Sequence, residues 1–194
     1  MAKSNIFSDF LLHTEIKDDE IKNKILSILE KEEKQKNNNF VSNRGGFQSN
    51  TIDDKLIQNF FLHQSVSLIQ ENFKFKNLTE VKLVNIWINK NFKGDYNVPH
   101  VHPLCHFSGI YYLKTSNKDG KLIFLKGDNS SSMMNNLAFI DHENFYHRFE
   151  VQPKNNLFIL FPSNLKHMVE PHYEEHPRIS VSFNLVLGNA KKKI

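Results

Sequence analysis

The chain has 194 residues, of which 39% are hydrophobic and 24% are charged. This length suits one domain, and the composition is too apolar for a disordered chain and too charged for a membrane bundle. The single cysteine, Cys105, excludes an intramolecular disulfide framework and a Cys-rich zinc or iron–sulfur site. Eight of the 10 histidines lie between His100 and His176, and a functional interpretation must explain this clustering.

The net charge is +4 and the pI is about 9.0, which is typical of proteins that bind nucleic acid. Nearly all of this charge comes from lysine, whereas recognition of bases and phosphates favours arginine. The composition therefore favours a solvated lysine surface over a nucleic-acid partner.

The longest apolar run, Leu157–Phe161, is far shorter than the roughly 20 residues that a bilayer requires. No targeting signal is recognisable, so we expect a cytoplasmic protein without a membrane partner; a homodimer is compatible with the sequence.

Two helices are predicted in the N-terminal part of the chain. Residues 18–36 carry apolar side chains at helical spacing, with Asp18 or Asp19 as the N-cap. A second helix is predicted from a cap at Thr51 to about Phe73, with its apolar side chains on one stripe. Both helices are expected to be amphipathic.

After Lys76 the pattern changes to short β-type runs, at 81–89, 106–114, 121–126, 137–140, 145–151, 157–162, 167–171 and 178–187. Turn signals occur at Lys118–Gly120 and Asn155–Asn156, and 127–136 is predicted to be a long loop. Consecutive strands without helices between them predict a mainly β, antiparallel sandwich or barrel, as in jelly rolls and cupins. We expect a single domain over 1–194, with a helical part (1–76), a β core (77–190) and a basic tail (191–194).

The predicted strands 81–89 and 178–187 alternate apolar with polar side chains, so each has one apolar and one polar face. The two helices can cover the apolar face, which would direct Asn85, Asn89, Arg178 and Ser180 into the barrel. Because unsatisfied buried polar groups cost several kcal/mol, this arrangement indicates a ligand. A solvent-exposed polar face is an equal alternative.

The histidine-rich half contains a candidate metal site. His100 and His102 lie at i and i+2, on the same face of an extended strand, where both imidazoles can reach one metal. His167 opens another predicted strand and is the best third ligand. Arg178 lies on a strand without an alternating acidic partner, so a bound carboxylate is its natural counter-ion.

Four motifs in order resemble the 2-oxoglutarate/Fe(II)-dependent oxygenases, over roughly residues 81–187. They are His100-Val101-His102, Ser108-Gly109-Ile110-Tyr111-Tyr112-Leu113, Phe161-Pro162-Ser163 followed by His167, and Arg178-Ile179-Ser180-Val181-Ser182-Phe183-Asn184. The resemblance implies a double-stranded β-helix barrel with the two helices packed on its larger sheet. It also implies oxidation of a small-molecule or peptide substrate with O₂ and 2-oxoglutarate as co-substrates.

The same resemblance implies a ligand set, with Fe(II) on His100, His102 and His167. It implies that Arg178, helped by Ser180, binds the distal carboxylate of 2-oxoglutarate. Asn89 and Tyr111 are expected to line the co-substrate pocket, as are Trp87 and Tyr112. For at least one of the two tyrosines, packing in the core is the better interpretation. The superfamily's usual iron site has two histidines and one carboxylate, whereas position 102 is histidine. The nearby acids that could supply the carboxylate ligand from another segment are Asp95, Asp128, Asp141 and Glu143.

Three functions are therefore open: a 2-oxoglutarate-dependent hydroxylase, a cupin-like three-His iron dioxygenase without 2-oxoglutarate, and a non-catalytic barrel with a closed zinc site. We expect His106 and Cys105 to be structural. Surface positions are expected for the four remaining histidines of this half, His142, His147, His172 and His176. Loops 42–50 and 127–136 are expected to determine the primary substrate.

Overall fold

The computed structural model describes residues 9–34, 41–74, 80–116, 118–126 and 148–188. Within these ranges the chain forms two helices and eleven strands. In chain order they are β1 (Leu12–Glu15), α1 (Asp19–Lys34), β2 (Asn43–Arg44), β3 (Phe47–Gln48), α2 (Lys55–Asn72), β4 (Glu80–Asn91), β5 (Tyr96–His100), β6 (Phe107–Lys114), β7 (Leu122–Leu125), β8 (Arg148–Val151), β9 (Leu157–Pro162), β10 (His167–Val169) and β11 (Arg178–Gly188). The fold is therefore mainly β with two helices, as predicted.

The strands form two antiparallel sheets. The larger has six strands in the order β1-β9-β6-β11-β4-β3, and the smaller has five in the order β2-β5-β10-β7-β8. In the larger sheet, Ser180 of β11 lies opposite Asn89 of β4, so the polar positions of the two strands share one face. In the smaller sheet, His167 of β10 lies opposite His100 of β5.

The two helices begin at aspartate caps. The Asp18 carboxylate accepts a hydrogen bond from the Ile21 N–H at 2.9 Å, as expected for one of the two predicted caps. Helix α2 is capped by Asp54, so the prediction of a cap at Thr51 is wrong. The reason is local pairing, because the Ile52 N–H donates to the Ile86 carbonyl and holds this segment extended along β4.

Both helices contribute to one apolar cluster on the outer face of the six-stranded sheet. The Phe61 ring of α2 lies 5.0 Å from the ring of Phe183 and 5.9 Å from that of Tyr111. Gly109 lies beneath the same aromatic group, where a Cβ atom would come within 2.1 Å of the Phe183 ring. The polar face of this sheet is consequently turned away from the helices and toward the second sheet.

A second apolar cluster lies between the sheets and includes Tyr112, Phe124 and Phe161.

Some predicted elements need correction: β1, β2, β3 and β5 are additional strands, and the predicted strand 167–171 ends at Val169. The predicted loop 127–136 and strand 137–140 lie outside the described residues, as does the beginning of 145–151. In the described part of the chain, neither helix is long and apolar enough to cross a membrane.

Candidate metal and co-substrate site

The three predicted metal ligands lie together. His100 ends β5, His102 follows it, and His167 begins β10 directly opposite His100. Each imidazole offers one ring nitrogen to the cluster, and these three atoms lie within 4.8 Å of one another. Antiparallel pairing of β5 with β10 thus joins residues that are distant in sequence into one group of metal-binding size.

Backbone carbonyls orient two of the three rings. His100 Nδ1 lies 2.7 Å from the Val98 carbonyl oxygen, and His167 Nδ1 lies 2.8 Å from that of Leu165. Because a carbonyl can only accept a hydrogen bond, each Nδ1 carries the proton and each Nε2 keeps its lone pair. The tautomer needed for coordination through Nε2 is therefore already selected.

Burial keeps these imidazoles neutral. Desolvation, reinforced by the neighbouring His100, lowers the pKa of His102 to about 4 and that of His167 to about 3. Burial also lowers the pKa of His100. Three neutral, convergent imidazoles are a donor set that fits a divalent metal such as iron or zinc.

No carboxylate joins the three histidines among the residues that the structure describes. Of the four acids considered as alternatives, Asp95 accepts a hydrogen bond from the Phe92 N–H in the turn between β4 and β5. Asp128, Asp141 and Glu143 lie outside the described residues. The described ligand set is therefore all-histidine.

A cavity of about 740 Å³ adjoins the cluster and is lined by residues of both sheets. At its inner part lies Arg178, whose side chain is buried with 2% of its surface exposed. The guanidinium donates to the Gly120 carbonyl at 2.8 Å and to the Asn91 amide oxygen at 3.2 Å. These neutral partners hold the guanidinium, and no carboxylate forms an ion pair with it in the described ranges.

The surroundings of Arg178 favour an anionic ligand. Burial lowers the pKa of the guanidinium, while the nearby Tyr112, Asp119 and Asp95 act in the opposite direction. Burial raises the pKa of Tyr112 to about 12, so its phenol is neutral. A carboxylate in the cavity could therefore form a charge-assisted hydrogen bond with a guanidinium that lacks a direct acidic partner.

The other predicted pocket residues divide between the two faces of the sheet. Ser180 and Asn89 line the cavity, as does Trp87. Tyr111 belongs to the helix-side core, and its hydroxyl donates to the Ile16 carbonyl at 2.7 Å. This corrects the assignment of Tyr111 to the co-substrate pocket, because successive strand residues face opposite ways and Tyr112 is the tyrosine that lines it.

Sequence reasoning missed a buried polar pair close to Arg178. His172 was expected at the surface, yet it is fully buried, and its Nδ1 lies 3.4 Å from Asp119 Oδ1. His172 Nε2 lies 2.6 Å from the His176 carbonyl oxygen. Asp119 accepts two hydrogen bonds from Ser116 and precedes Gly120, whose carbonyl accepts from Arg178, so the turn at Asp119 supports the loop that holds the guanidinium. The only signal in the sequence was the turn at Lys118–Gly120, which does not indicate a buried histidine partner.

The remaining candidates have structural contacts. His106 Nδ1 accepts a hydrogen bond from the Leu187 N–H at 3.1 Å, in line with its expected structural role. Cys105 borders the cavity, and burial raises the pKa of its thiol, which favours the unreactive form. His142 and His147 lie outside the described residues.

Comparison with known proteins agrees with this geometry. Residues 85–184 match the profile of the family described as "Putative 2OG-Fe(II) oxygenase". The match spans more than half of the chain and includes the three histidines and Arg178. The chain therefore belongs to the 2-oxoglutarate/Fe(II) oxygenase family, whose members are oxidoreductases that use Fe(II) with 2-oxoglutarate as co-substrate.

Solved structures share the fold at low sequence identity. A prolyl-4-hydroxylase from Pseudomonas putida has a TM-score of 0.61 at 14% identity, with 92% of this chain and 93% of that chain covered. The viral collagen prolyl hydroxylase of Paramecium Bursaria Chlorella virus-1, solved with 2-oxoglutarate, has a TM-score of 0.56 at 10% identity, covering 90% and 95%. SnoN, an epimerase of nogalamycin biosynthesis, has a TM-score of 0.65 at 10% identity, covering 92% and 76%. No curated protein sequence gives a match.

Proposed function

We propose that the protein is an Fe(II)- and 2-oxoglutarate-dependent dioxygenase that hydroxylates a C–H bond of its substrate. The observation that carries this proposal is the joint placement of two groups around one cavity, the three-histidine cluster and the buried Arg178. We also propose that the two sheets form a double-stranded β-helix barrel and that 1–194 is one domain.

In this proposal His100 and His167 hold Fe(II) through their Nε2 atoms, and His102 supplies the third imidazole nitrogen. Bound Fe(II) would supply the oxidation, in which 2-oxoglutarate and O₂ give succinate and CO₂ and the second oxygen atom enters the substrate C–H bond. The carbonyls of Val98 and Leu165 fix two of the rings so that no tautomer change is required on binding.

Arg178 binds the distal carboxylate of 2-oxoglutarate in this assignment. Its contacts with Gly120 and Asn91 fix the guanidinium plane before the co-substrate arrives, which reduces the entropy that binding must offset. Ser180 lines the same cavity and offers a hydroxyl to the carboxylate. Phe161 and Ile110 contribute apolar side chains to the wall of this cavity.

The decisive experiment measures 2-oxoglutarate binding and turnover in the Fe(II) protein. We expect a visible charge-transfer absorption when 2-oxoglutarate is added without oxygen, and succinate release when oxygen is admitted. Arg178→Gln is expected to weaken 2-oxoglutarate binding by about tenfold or more, because a charge-assisted pair is lost. Arg148→Gln is the matched control, since Arg148 is exposed and pairs with Glu150. Equal 2-oxoglutarate affinity in both variants would contradict the assignment.

The all-histidine ligand set favours a second candidate, a three-His iron dioxygenase that oxidises its substrate without 2-oxoglutarate. Arg178 would then bind a carboxylate of the substrate itself. Oxygen consumption by the Fe(II) protein without 2-oxoglutarate would identify this activity. A closed, tetrahedral zinc site without a vacant position would instead identify the third candidate, a non-catalytic barrel.

A further inference from the structure

The cavity extends beyond the three-histidine cluster and Arg178, and we call this outer part the groove. We define this groove by Val41, Val84, Asn85, Trp87, Asn89, Val101 and Leu104. Amide and hydroxyl side chains are frequent in the cavity wall, and Arg178 is the only Lys, Arg, Asp or Glu among its described lining residues. The proposed function assigns Arg178 to 2-oxoglutarate. No other Lys, Arg, Asp or Glu among the described residues of the cavity wall is then available to pair with the primary substrate.

Among the described lining residues, this lack of charge favours a neutral substrate. A charged group bound there would give up hydration without gaining a described partner of opposite sign. Neutral hydrogen-bonding groups, in contrast, can exchange water for the amides and hydroxyls of the wall. The groove thus suits an uncharged substrate that carries hydrogen-bond donors and acceptors.

Two asparagines of β4 present such groups at strand spacing. Asn85 accepts a hydrogen bond from Asn184 at 2.8 Å, and Asn89 donates one to Ser182 at 2.9 Å. In the part of the chain that the structure describes, the NH₂ group of Asn85 and the amide oxygen of Asn89 have no further partner. The two residues are four positions apart on one strand face, about 13 Å at strand rise. An extended peptide has the same rise per residue as β4, so two of its backbone amides can hydrogen-bond to both asparagine side chains at once.

The mouth of the groove is rimmed by exposed aliphatic side chains. The exposed fractions are 76% for Val41, 49% for Val84, 45% for Val101 and 96% for Leu104. Leu104 also has φ of 63°, a left-handed conformation that is strained for leucine and common near functional sites. A register shift between β11 and β4 leaves Val84 without an opposite residue, a bulge typical of sheet positions beside active sites.

We propose that the primary substrate is an uncharged, extended peptide segment. This inference rests on the proposed function. The peptide backbone would bond to Asn85 and to Asn89, so this assignment gives Asn89 to the substrate and not, as expected from the sequence, to the co-substrate. An aliphatic side chain beside the reacting residue would pack on Leu104. A peptide suits the groove better than a neutral glycan, because it combines strand-spaced amides with aliphatic side chains, whereas sugars offer mainly hydroxyls.

The test uses the Fe(II) protein with 2-oxoglutarate, oxygen and blocked peptides. One set contains heptapeptides of Ala, Val, Leu, Pro, Ser, Asn and Gly in varied order, acetylated and amidated at the ends. A matched set carries Glu or Lys next to the central position. We expect neutral peptides to gain one oxygen atom and to stimulate succinate release, with kcat/KM about tenfold or more above the charged set.

Three results would overturn the substrate assignment: equal turnover of the charged set, no stimulation by any peptide, or oxidation of a neutral oligosaccharide instead. Each leaves the proposed function intact if 2-oxoglutarate still binds and is slowly converted to succinate without peptide. Failure of 2-oxoglutarate to bind at all would instead refute the proposed function.

Two variants test the groove itself. Leu104→Gly removes the rim side chain and tolerates the positive φ, so Tm should stay equal or rise while KM for the neutral peptide rises about fivefold to tenfold. Tyr173→Ser is the matched control, since Tyr173 is 60% exposed and does not line the cavity. Val84→Glu should shift preference toward the Lys-containing peptides. An unchanged KM in Leu104→Gly together with an unchanged charge preference in Val84→Glu would contradict the proposed groove.

Discussion

His172 Nδ1 lies 3.4 Å from Asp119 Oδ1, and both side chains are buried. Asp119 accepts hydrogen bonds from the backbone N–H and the hydroxyl of Ser116, whereas the buried His172 Nδ1 has no hydrogen-bond partner among the described residues. The next residue, Gly120, holds Arg178 through its carbonyl. The guanidinium is thus oriented by a carbonyl whose position depends on a buried carboxylate.

The first prediction concerns this positioning. Asp119→Ala should weaken 2-oxoglutarate binding about fivefold to tenfold and lower stability by about 1–3 kcal/mol, because the backbone N–H and the hydroxyl of Ser116 lose their acceptor. Asp119→Asn keeps one acceptor and should recover part of both losses. Titration with 2-oxoglutarate and urea unfolding measure the two effects. The metal affinity should not change, and unchanged 2-oxoglutarate affinity in Asp119→Ala would show that the turn does not position Arg178.

The second prediction concerns the third metal ligand. His102→Asp places a carboxylate at the same position and should keep both metal binding and 2-oxoglutarate turnover, since two histidines and one carboxylate also form an open iron site. His102→Ala should weaken metal binding by roughly two orders of magnitude or more, because losing even an outer partner costs about 10–100-fold. His63→Ala, at an exposed position of α2, is the control. Metal titration distinguishes the outcomes, and normal binding by His102→Ala would remove this residue from the site.

The third prediction concerns pH. Burial lowers the pKa of His102 to about 4 and that of His167 to about 3, from an unfolded value of 6.5. Below pH 6.5 the unfolded chain therefore binds protons that the folded metal-free protein does not, so stability falls as pH falls through this window. Melting curves of the metal-free protein between pH 7 and pH 5 should show a decreasing Tm. The decrease should be shallower in His102→Gln, and an identical pH dependence in both proteins would argue against a depressed pKa.

The fourth prediction concerns the aromatic core. Gly109→Ala would place a Cβ atom 2.1 Å from the Phe183 ring and should destabilise the fold by about 1–3 kcal/mol. Gly94→Ala is a matched control, because its Cβ would meet nothing within 4 Å and only its positive φ of 89° is strained. That strain should cost about 1 kcal/mol. Urea unfolding of both variants compares them, and an equal or smaller loss in Gly109→Ala would mean that the ring can move aside.

Periodicity predicted the elements with one apolar face, namely both helices and the long strands β4 and β11. It could not predict β2 and β5, because Asn43–Arg44 and Tyr96–His100 lack apolar alternation and pair only through tertiary contacts. The side on which Tyr111 lies was also undetermined. Strand β6 is buried on both faces, so alternation within it carries no information about which face meets the helices.

The clustering of the three proposed metal ligands and the position of Arg178 at the cavity were predictable because their residue types and spacing are limited by coordination and charge. The Asp119–His172 pair was not, since its burial arises where two loops meet in space. Histidine is intermediate in its tendency to be buried, so a histidine in a predicted loop does not by itself indicate a buried position. Short-range patterns therefore indicated the three clustered histidines and the buried Arg178, while the supporting contacts required the fold.

Strand β1 determines how far the chain can be truncated without exposing a sheet edge. It pairs with β9 along the edge of the larger sheet, and the Ile16 carbonyl just beyond it accepts a hydrogen bond from the Tyr111 hydroxyl. A fragment limited to the family-matching residues 85–184 would leave the β9 edge unpaired and uncover the aromatic face of Phe158. Open edges and bare apolar faces promote self-association, so we expect such a fragment to aggregate, however complete its metal ligands.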